Sequence, residues 1–279
     1  MTFIWRASSN AMPRAEKAGF DTCWTTFGQG PRAALMLHCS LAHSASWGGM
    51  ARVLSGALGM VAFDAPGHGR SGAWDERGEI QDVTTRIAAS FLEGPTDIIG
   101  HSFGATVALR LAVERPELVR SLILYEPVFF GVALADHPEM RGPHEAELAM
   151  YVQGMTSGDY HLAAEGFIRV WGDGRAWSDI PAEARAAMAV QMPLIEAAAP
   201  ALYDDAGGML ASGALERISA PALLLEGSQS PAIIAAINEG LAARLGRVER
   251  SVVIGAGHMG PMTHPKQVSS EVLRFLAWT

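Results

Sequence analysis

Cysteine is scarce in this chain: Cys23 and Cys39 are its two thiols. Two thiols build neither a disulfide scaffold nor a cysteine metal cluster. Basic residues are in deficit, 21 against 29 acidic ones, for a formal charge of -8. A nucleic-acid partner needs a basic face, so none is expected. No uninterrupted apolar run reaches the length of a membrane span, so no membrane partner is expected either. Residues 1–17 carry Arg6, Arg14 and Lys17 but no long apolar stretch. That is not the pattern of a secretory leader, so a cytoplasmic location is expected. Residues before Ala18 are expected to fray. The histidines lack the His-Glu-x-x-His spacing of a zinc site, and no Gly-x-Gly-x-x-Gly follows the first strand. Neither a metal nor a cofactor is predicted.

Apolar residues are plentiful, 49% of 279, which supplies the core of one large α/β domain or two small ones. Short apolar runs recur and end in polar or glycine-rich loops. Strands are read at Ala33 to His38, Gly59 to Phe63, Thr96 to Ile99, Leu122 to Tyr125, Ala222 to Glu226 and Glu249 to Ile254. Helical spacing separates them, as in Ile80, Val83, Ile87 and Phe91. Continuously apolar strands alternating with helices predict a mostly parallel sheet covered by helices on both faces. From Val128 to Gly213 the rhythm changes to uneven helices carrying Met150, Met155, Trp171, Trp177, Met188 and Met192. This stretch is read as a helical cap, 128–213, inserted in a core of residues 18–127 and 214–279. Most of the Met and Trp stripe is expected to be core, and the rest to line a substrate pocket.

Parallel sheets place ligands at the carboxyl ends of their strands. His38, Asp64, Ser102, Glu126, Ser230 and His258 all follow predicted strands, so they share one sheet edge. Of these, Ser102 has the most telling neighbours. Gly100-His101-Ser102-Phe103-Gly104 joins an apolar run to a helical one, the signature of a nucleophile elbow. The turn is sharp, so its flanking residues can have almost no side chain. The helix that follows points unpaired N–H groups at the serine, where negative charge on an acyl oxygen is stabilised.

These motifs resemble the α/β-hydrolase superfamily from about Phe20 to Trp278, most weakly in the cap. Besides the elbow, Asp64-Ala65-Pro66-Gly67-His68-Gly69-Arg70-Ser71 is similar to the family's loop after the fourth strand, and Gly257-His258 to its histidine loop. The resemblance implies Ser102 as nucleophile and His258 as general base. It also implies backbone N–H groups of Ser40 and Phe103 as the oxyanion hole. Two departures stand out. The family's usual His-Gly after the third strand is His38-Cys39 here. Its common Gly-x-x-Asp-Pro, which bears the acid of the triad, is Gly227-Ser228-Gln229-Ser230-Pro231.

Serine at 230 cannot carry the charge that orients a catalytic imidazole. Glu126 is the first substitute, because some members of the superfamily place the acid after that strand. Glu226 is the second, and Asp205 or another cap residue the third; no contacting acid at all also stays open. Substitution of Ser230 by alanine is expected to do little to turnover. His38 is read as bracing the oxyanion loop, His43 as edging the pocket, and His101 as packing or bonding backbone. Asp64 and Arg70 are read as structural, and His264 as a weaker rival of His258.

The chemistry implied is acyl-enzyme hydrolysis of a small, largely apolar ester or lactone. One alternative is a carbon–carbon bond hydrolase of a dienoic keto-acid, which needs a cation for the substrate carboxylate; Arg110, Arg169 and Arg175 are the candidates. The other is a catalytically weak ligand-binding protein on the same scaffold. Haloalkane dehalogenation and epoxide hydrolysis are disfavoured, since both need a carboxylate where Ser102 stands. The expected partner is a small-molecule substrate, and an exposed sheet edge leaves room for a homodimer.

Overall fold

The computed structural model describes residues 12–279, so most of the leader reading lies outside the described residues. Its centre is an eight-stranded sheet in the order β1-β2-β4-β3-β5-β6-β7-β8. The strands are β1 (Arg14–Lys17), β2 (Phe20–Phe27), β3 (Arg32–Leu37), β4 (Leu58–Phe63), β5 (Thr96–His101), β6 (Val119–Tyr125), β7 (Ala222–Gly227) and β8 (Val248–Val253). β1 and β2 pair antiparallel, β2 joins β4 antiparallel, and every other pairing is parallel.

Alternate residues of the central strands face opposite sides, and each side has its own helices. One face carries Leu35, Leu37, Ile98, Leu122, Leu124 and Leu224. It is covered by α2 (Ile80–Ala89), α3 (Phe103–Glu114), α4 (Phe130–Asp136) and α10 (Ala232–Arg244), through side chains such as Val83, Val107, Val132 and Ile237. The other face carries Met36, Ala62, Ile99, Ile123, Leu223 and Leu225. There α1 (Gly48–Leu54) and α12 (Pro265–Leu276) pack through Met50, Leu54, Val272 and Phe275. Each such fully buried side chain contributes roughly 1.5–3 kcal/mol of transfer free energy. Burial on both faces explains why these strands read as unbroken apolar runs.

Between α4 and β7 run α5 (Arg141–Glu147), α6 (Ala149–Ser157), α7 (Tyr160–Trp171), α8 (Ala182–Val190) and α9 (Met192–Tyr203). They hold a small core of their own, built from Tyr151, Ala163, Ala164, Ala189 and Met192. α6 and α7 approach so closely that a Cβ on Gly154 would lie 2.2 Å from the Ala163 nitrogen. A short α11 (Gly260–Thr263) precedes α12.

The expectation of a frayed segment before Ala18 is corrected at Arg14–Lys17, where β1 is a hairpin arm on β2, and its part on residues 1–11 lies outside the described residues. Ala18 and Gly19 both have positive φ, 49° and 82°, which suits the two-residue turn that follows strand twist. Arg14 Nε donates to Asp21 Oδ1 across it at 2.7 Å. An Ala-Gly turn lacks the Asn-Gly or Asp-Gly pattern that marks such hairpins in sequence. No described helix is long and apolar enough to cross a membrane.

Candidate active site

Ser102 sits between β5 and α3 with φ 55° and ψ -120°, a conformation that L residues rarely adopt. The flanking glycines are required sterically. A Cβ on Gly100 would lie 2.5 Å from the Ala105 Cα, and one on Gly104 would lie 2.2 Å from the Leu37 carbonyl oxygen. The elbow therefore presses the start of α3 against the end of β3. Ser102 N–H is tied to the Tyr125 carbonyl at 3.0 Å, which ties the elbow to the end of β6.

His258 arrives from the loop after β8. Its backbone is fixed from two sides. His101 Nε2 donates to the His258 carbonyl at 2.8 Å, and the Tyr125 hydroxyl donates to the Gly257 carbonyl at 2.8 Å. Gly260 leaves the space that Tyr125 fills, for a Cβ there would fall 1.9 Å from the hydroxyl oxygen. The imidazole then spans two partners. Its Nε2 lies 3.0 Å from Ser102 Oγ, and its Nδ1 lies 2.8 Å from Glu126 Oε2. Trp171 covers the ring edge-on, with centroids 4.8 Å apart.

Glu126 is the first residue past β6, fully buried, with φ 48°. Its Oε1 accepts the Gly227 N–H at 2.7 Å and the Ser230 hydroxyl. Ser230 thus stands beside the carboxylate and donates to it. The sequence shows a serine where the resemblance implied an aspartate, but not that its hydroxyl points at the neighbouring strand's glutamate. Removing a donor from a buried carboxylate costs roughly 1.5–3 kcal/mol. Ser230→Ala is therefore expected to lower unfolding stability by about that amount in a urea titration, and Ser230→Thr to keep most of it.

The rival acids are engaged elsewhere. Glu226 Oε2 accepts from Asn238 Nδ2 at 2.7 Å, and Asp205 braces a turn through the N–H groups of Met209 and Leu210 at 2.7 and 2.8 Å. His264 bonds Thr263 on the exposed side. His43 is exposed and outside the cavity walls, contrary to expectation. His38 Nε2 accepts the Ala65 N–H at 2.9 Å, while its Nδ1 donates to the Cys39 carbonyl at 2.7 Å. Asp64 is buried and accepts the N–H groups of Ser44 and Arg70 at 2.6 and 2.8 Å, a bracing arrangement. Burial pushes the Cys39 thiol up to about 12, so it stays protonated and packs. Among the described residues, neither the Ser40 nor the Phe103 N–H donates to a protein acceptor.

Burial lowers the His38 pKa to about 3 and that of His144 to about 4. Below pH about 6.5 the unfolded chain protonates these rings and the folded chain does not. Unfolding then takes up protons, so stability falls as pH drops, by roughly 1.4 kcal/mol per pH unit for each ring. The loss continues toward pH 4 for His144 and pH 3 for His38. A urea midpoint clearly lower at pH 5 than at pH 7 is the expected result; an equal midpoint contradicts it.

Two cavities reach Ser102 and share Ser40, Phe167, Trp171 and His258. The larger, about 330 Å³, is walled by apolar and aromatic groups including Val128, Phe130, Leu148, Leu202 and Tyr203. The smaller, about 100 Å³, adds Leu41, Ile168, Ile180 and Met188. Of the Met and Trp stripe, Trp171 and Met188 meet the cavities, while Met192 is core. Phe130, His144 and Tyr203 were not legible as cavity residues, since nothing in their spacing separates them from helix packing.

The arginine candidates do not reach Ser102 as free cations. Arg110, on α3, is held by Glu79 at 2.6 Å and Glu114 at 2.7 Å and lines neither cavity, while Arg175 lines the smaller cavity with Ser102 but is paired there with Asp173 at 2.7 Å. Arg169 is exposed along a polar crevice that includes His258 but not Ser102.

This arrangement of elbow, histidine loop and sheet has known counterparts. A family model described as alpha/beta hydrolase family matches residues 34–271. The chain belongs to the alpha/beta hydrolase family. Within it, the chain is 33% identical over 143 residues to a pimeloyl-[acyl-carrier protein] methyl ester esterase of Nitrosomonas europaea, covering 51% of this chain and 54% of the relative. It is 35% identical over 155 residues to lipase LipV of Mycobacterium tuberculosis, covering 54% and 53%. The aligned part spans about half the length of these curated relatives. Among solved structures, the epoxide hydrolase VrEH1 of Vigna radiata superposes with a TM-score of 0.72 at 17% identity, over 96% of this chain and 98% of that one. That likeness concerns the hydrolase fold alone.

Proposed function

We propose that this α/β-hydrolase is a serine hydrolase, acting through an acyl-enzyme on a small, largely apolar carboxylic ester or lactone. The observation that carries the reading is the unbroken relay Ser102 Oγ, His258 and Glu126, with contacts of 3.0 and 2.8 Å. His258 Nε2 takes the hydroxyl proton as Ser102 Oγ attacks the carbonyl carbon. Nδ1–H stays bonded to Glu126, whose negative charge stabilises the imidazolium. The free N–H groups of Ser40 and Phe103 serve the developing oxyanion, each worth roughly 3 kcal/mol. His258 then returns the proton to the leaving alcohol and activates a water that clears the acyl group.

The relatives named as an ester esterase and a lipase support ester chemistry. The largely apolar wall of the larger cavity supports an apolar substrate. The keto-acid alternative is less favoured, because the arginine at that wall, Arg141, is 60% exposed and faces Glu145 at 3.7 Å, and Glu196 shares the wall. The inserted helices act as the cap in this reading, since they supply most of the cavity wall.

A stopped-flow burst with a p-nitrophenyl ester tests it. One equivalent of p-nitrophenolate per enzyme ahead of slower turnover is expected where deacylation is rate-limiting. A panel of esters, lactones and dienoic keto-acids run beside it should show turnover of the first two; turnover of the keto-acids alone rejects the proposal.

A further inference from the structure

The wall of the larger cavity holds a polar pair that the relay does not use. His144, on α5, is buried, and its Nε2 lies 2.7 Å from the Tyr203 hydroxyl oxygen. Its Nδ1 is also buried and has no partner among the described residues. The ring is flanked by Phe130, with centroids 4.6 Å apart, and Tyr203 stacks on the same Phe130 at 4.6 Å. Tyr203 and His144 line the cavity that reaches Ser102 and His258.

The orphaned nitrogen decides where the protons are. Burial lowers the pKa of His144 to about 4, so the ring is neutral near pH 7 and carries one proton. With that proton on Nδ1, a buried N–H would have no acceptor. With it on Nε2, only a lone pair goes unused, the less costly of the two. Nε2–H therefore donates to the Tyr203 oxygen. Tyr203 cannot donate back along the same line, and its hydroxyl proton has no acceptor among the described residues.

We infer that the Tyr203 hydroxyl donates a hydrogen bond to a neutral oxygen on the substrate portion that fills the larger cavity, making Tyr203 a specificity-determining residue. This deepens the ester-hydrolase reading and rests on it. The preferred ester thus carries a second oxygen, a ketone, ether or hydroxyl, some way along an otherwise apolar chain. A carboxylate is disfavoured there, because Glu196 lies on the same wall and on the same helix as Tyr203. Glu196 already accepts the Tyr151 hydroxyl at 3.2 Å.

The test compares p-nitrophenyl octanoate with oxo analogues in which a ketone replaces one chain methylene at successive positions. Wild type is expected to favour one position by roughly 2- to 12-fold in kcat/KM over octanoate, the range of a single neutral hydrogen bond. In Tyr203→Phe that ratio should fall to about one. Two results overturn the inference: a wild type that favours no position, or a preference that survives in Tyr203→Phe. The first needs no variant, so a misfolded Tyr203→Phe does not shield the claim. Hydrolysis of octanoate with no oxo preference leaves the ester reading standing and removes only this inference. Failure of wild type to cleave any of these esters overturns both.

Discussion

Glu126→Gln is expected to lower kcat for ester hydrolysis by about ten-thousand-fold, the loss typical when an orienting acid becomes an amide. The hydrogen bonds around this side chain say how. Gly227 N–H and the Ser230 hydroxyl both donate to Oε1. A glutamine at 126 keeps those two donors satisfied only by placing its carbonyl oxygen there. Its NH2 group then faces His258 Nδ1, which must become an acceptor. The imidazole proton moves to Nε2, and Nε2 can no longer accept the proton of Ser102. The substitution is nearly isosteric, so the fold should persist while the tautomer is wrong. Circular dichroism equal to wild type with collapsed kcat is the expected pair of results, and wild-type kcat would remove Glu126 from the mechanism. Adding Ser230→Asp returns a carboxylate to the family's more common position and is expected to recover at least tenfold of the loss.

Ser102→Ala is expected to reduce kcat by roughly a million-fold, since a nucleophile acts as a unit with its base. Its effect on folding should be small. Among the described residues, Ser102 Oγ has one protein partner, His258 Nε2, which also borders the cavities and can bond water when the hydroxyl is gone. Alanine has no larger Cβ to accommodate at φ 55° than serine has. Residual turnover in steady-state assays should be insensitive to the further substitution His258→Ala, because neither group functions without the other. Additive losses would contradict a shared proton transfer.

Much of this site is legible in the sequence because strand ends are legible. A doubly covered parallel strand is an unbroken apolar run, so its last residue can be located, and sheet topology brings those ends to one edge. That is how Ser102, Glu126 and His258 come together from a serine between glycines, a glutamate after Tyr125 and a histidine in a glycine-rich loop. The glycines at 100 and 104 have steric causes that the motif already encodes. What was illegible depends on side-chain direction. Ser230 looked vacant because a hydroxyl at that position has no sequence signal for the partner it faces. The outward course of His43 has no sequence signal, because a polar loop can run along the cavity or away from it. The His144–Tyr203 pair joins α5 to the end of α9, and neither helix has a spacing that marks the contact. The β1 hairpin carries no turn signature because Ala18 adopts a positive φ that alanine rarely takes.

On the proposed mechanism, the relay from Ser102 through His258 to Glu126 makes the Ser102 hydroxyl far more nucleophilic than an ordinary serine. Phosphonylation reads that property directly: the protein is treated with a fluorophosphonate, digested, and the modified peptide sequenced by mass spectrometry. Modification at Ser102 alone, abolished in Ser102→Ala and slowed strongly in Glu126→Gln, is the result this account predicts. Modification at another residue, or none under conditions that label ordinary serine hydrolases, would contradict it.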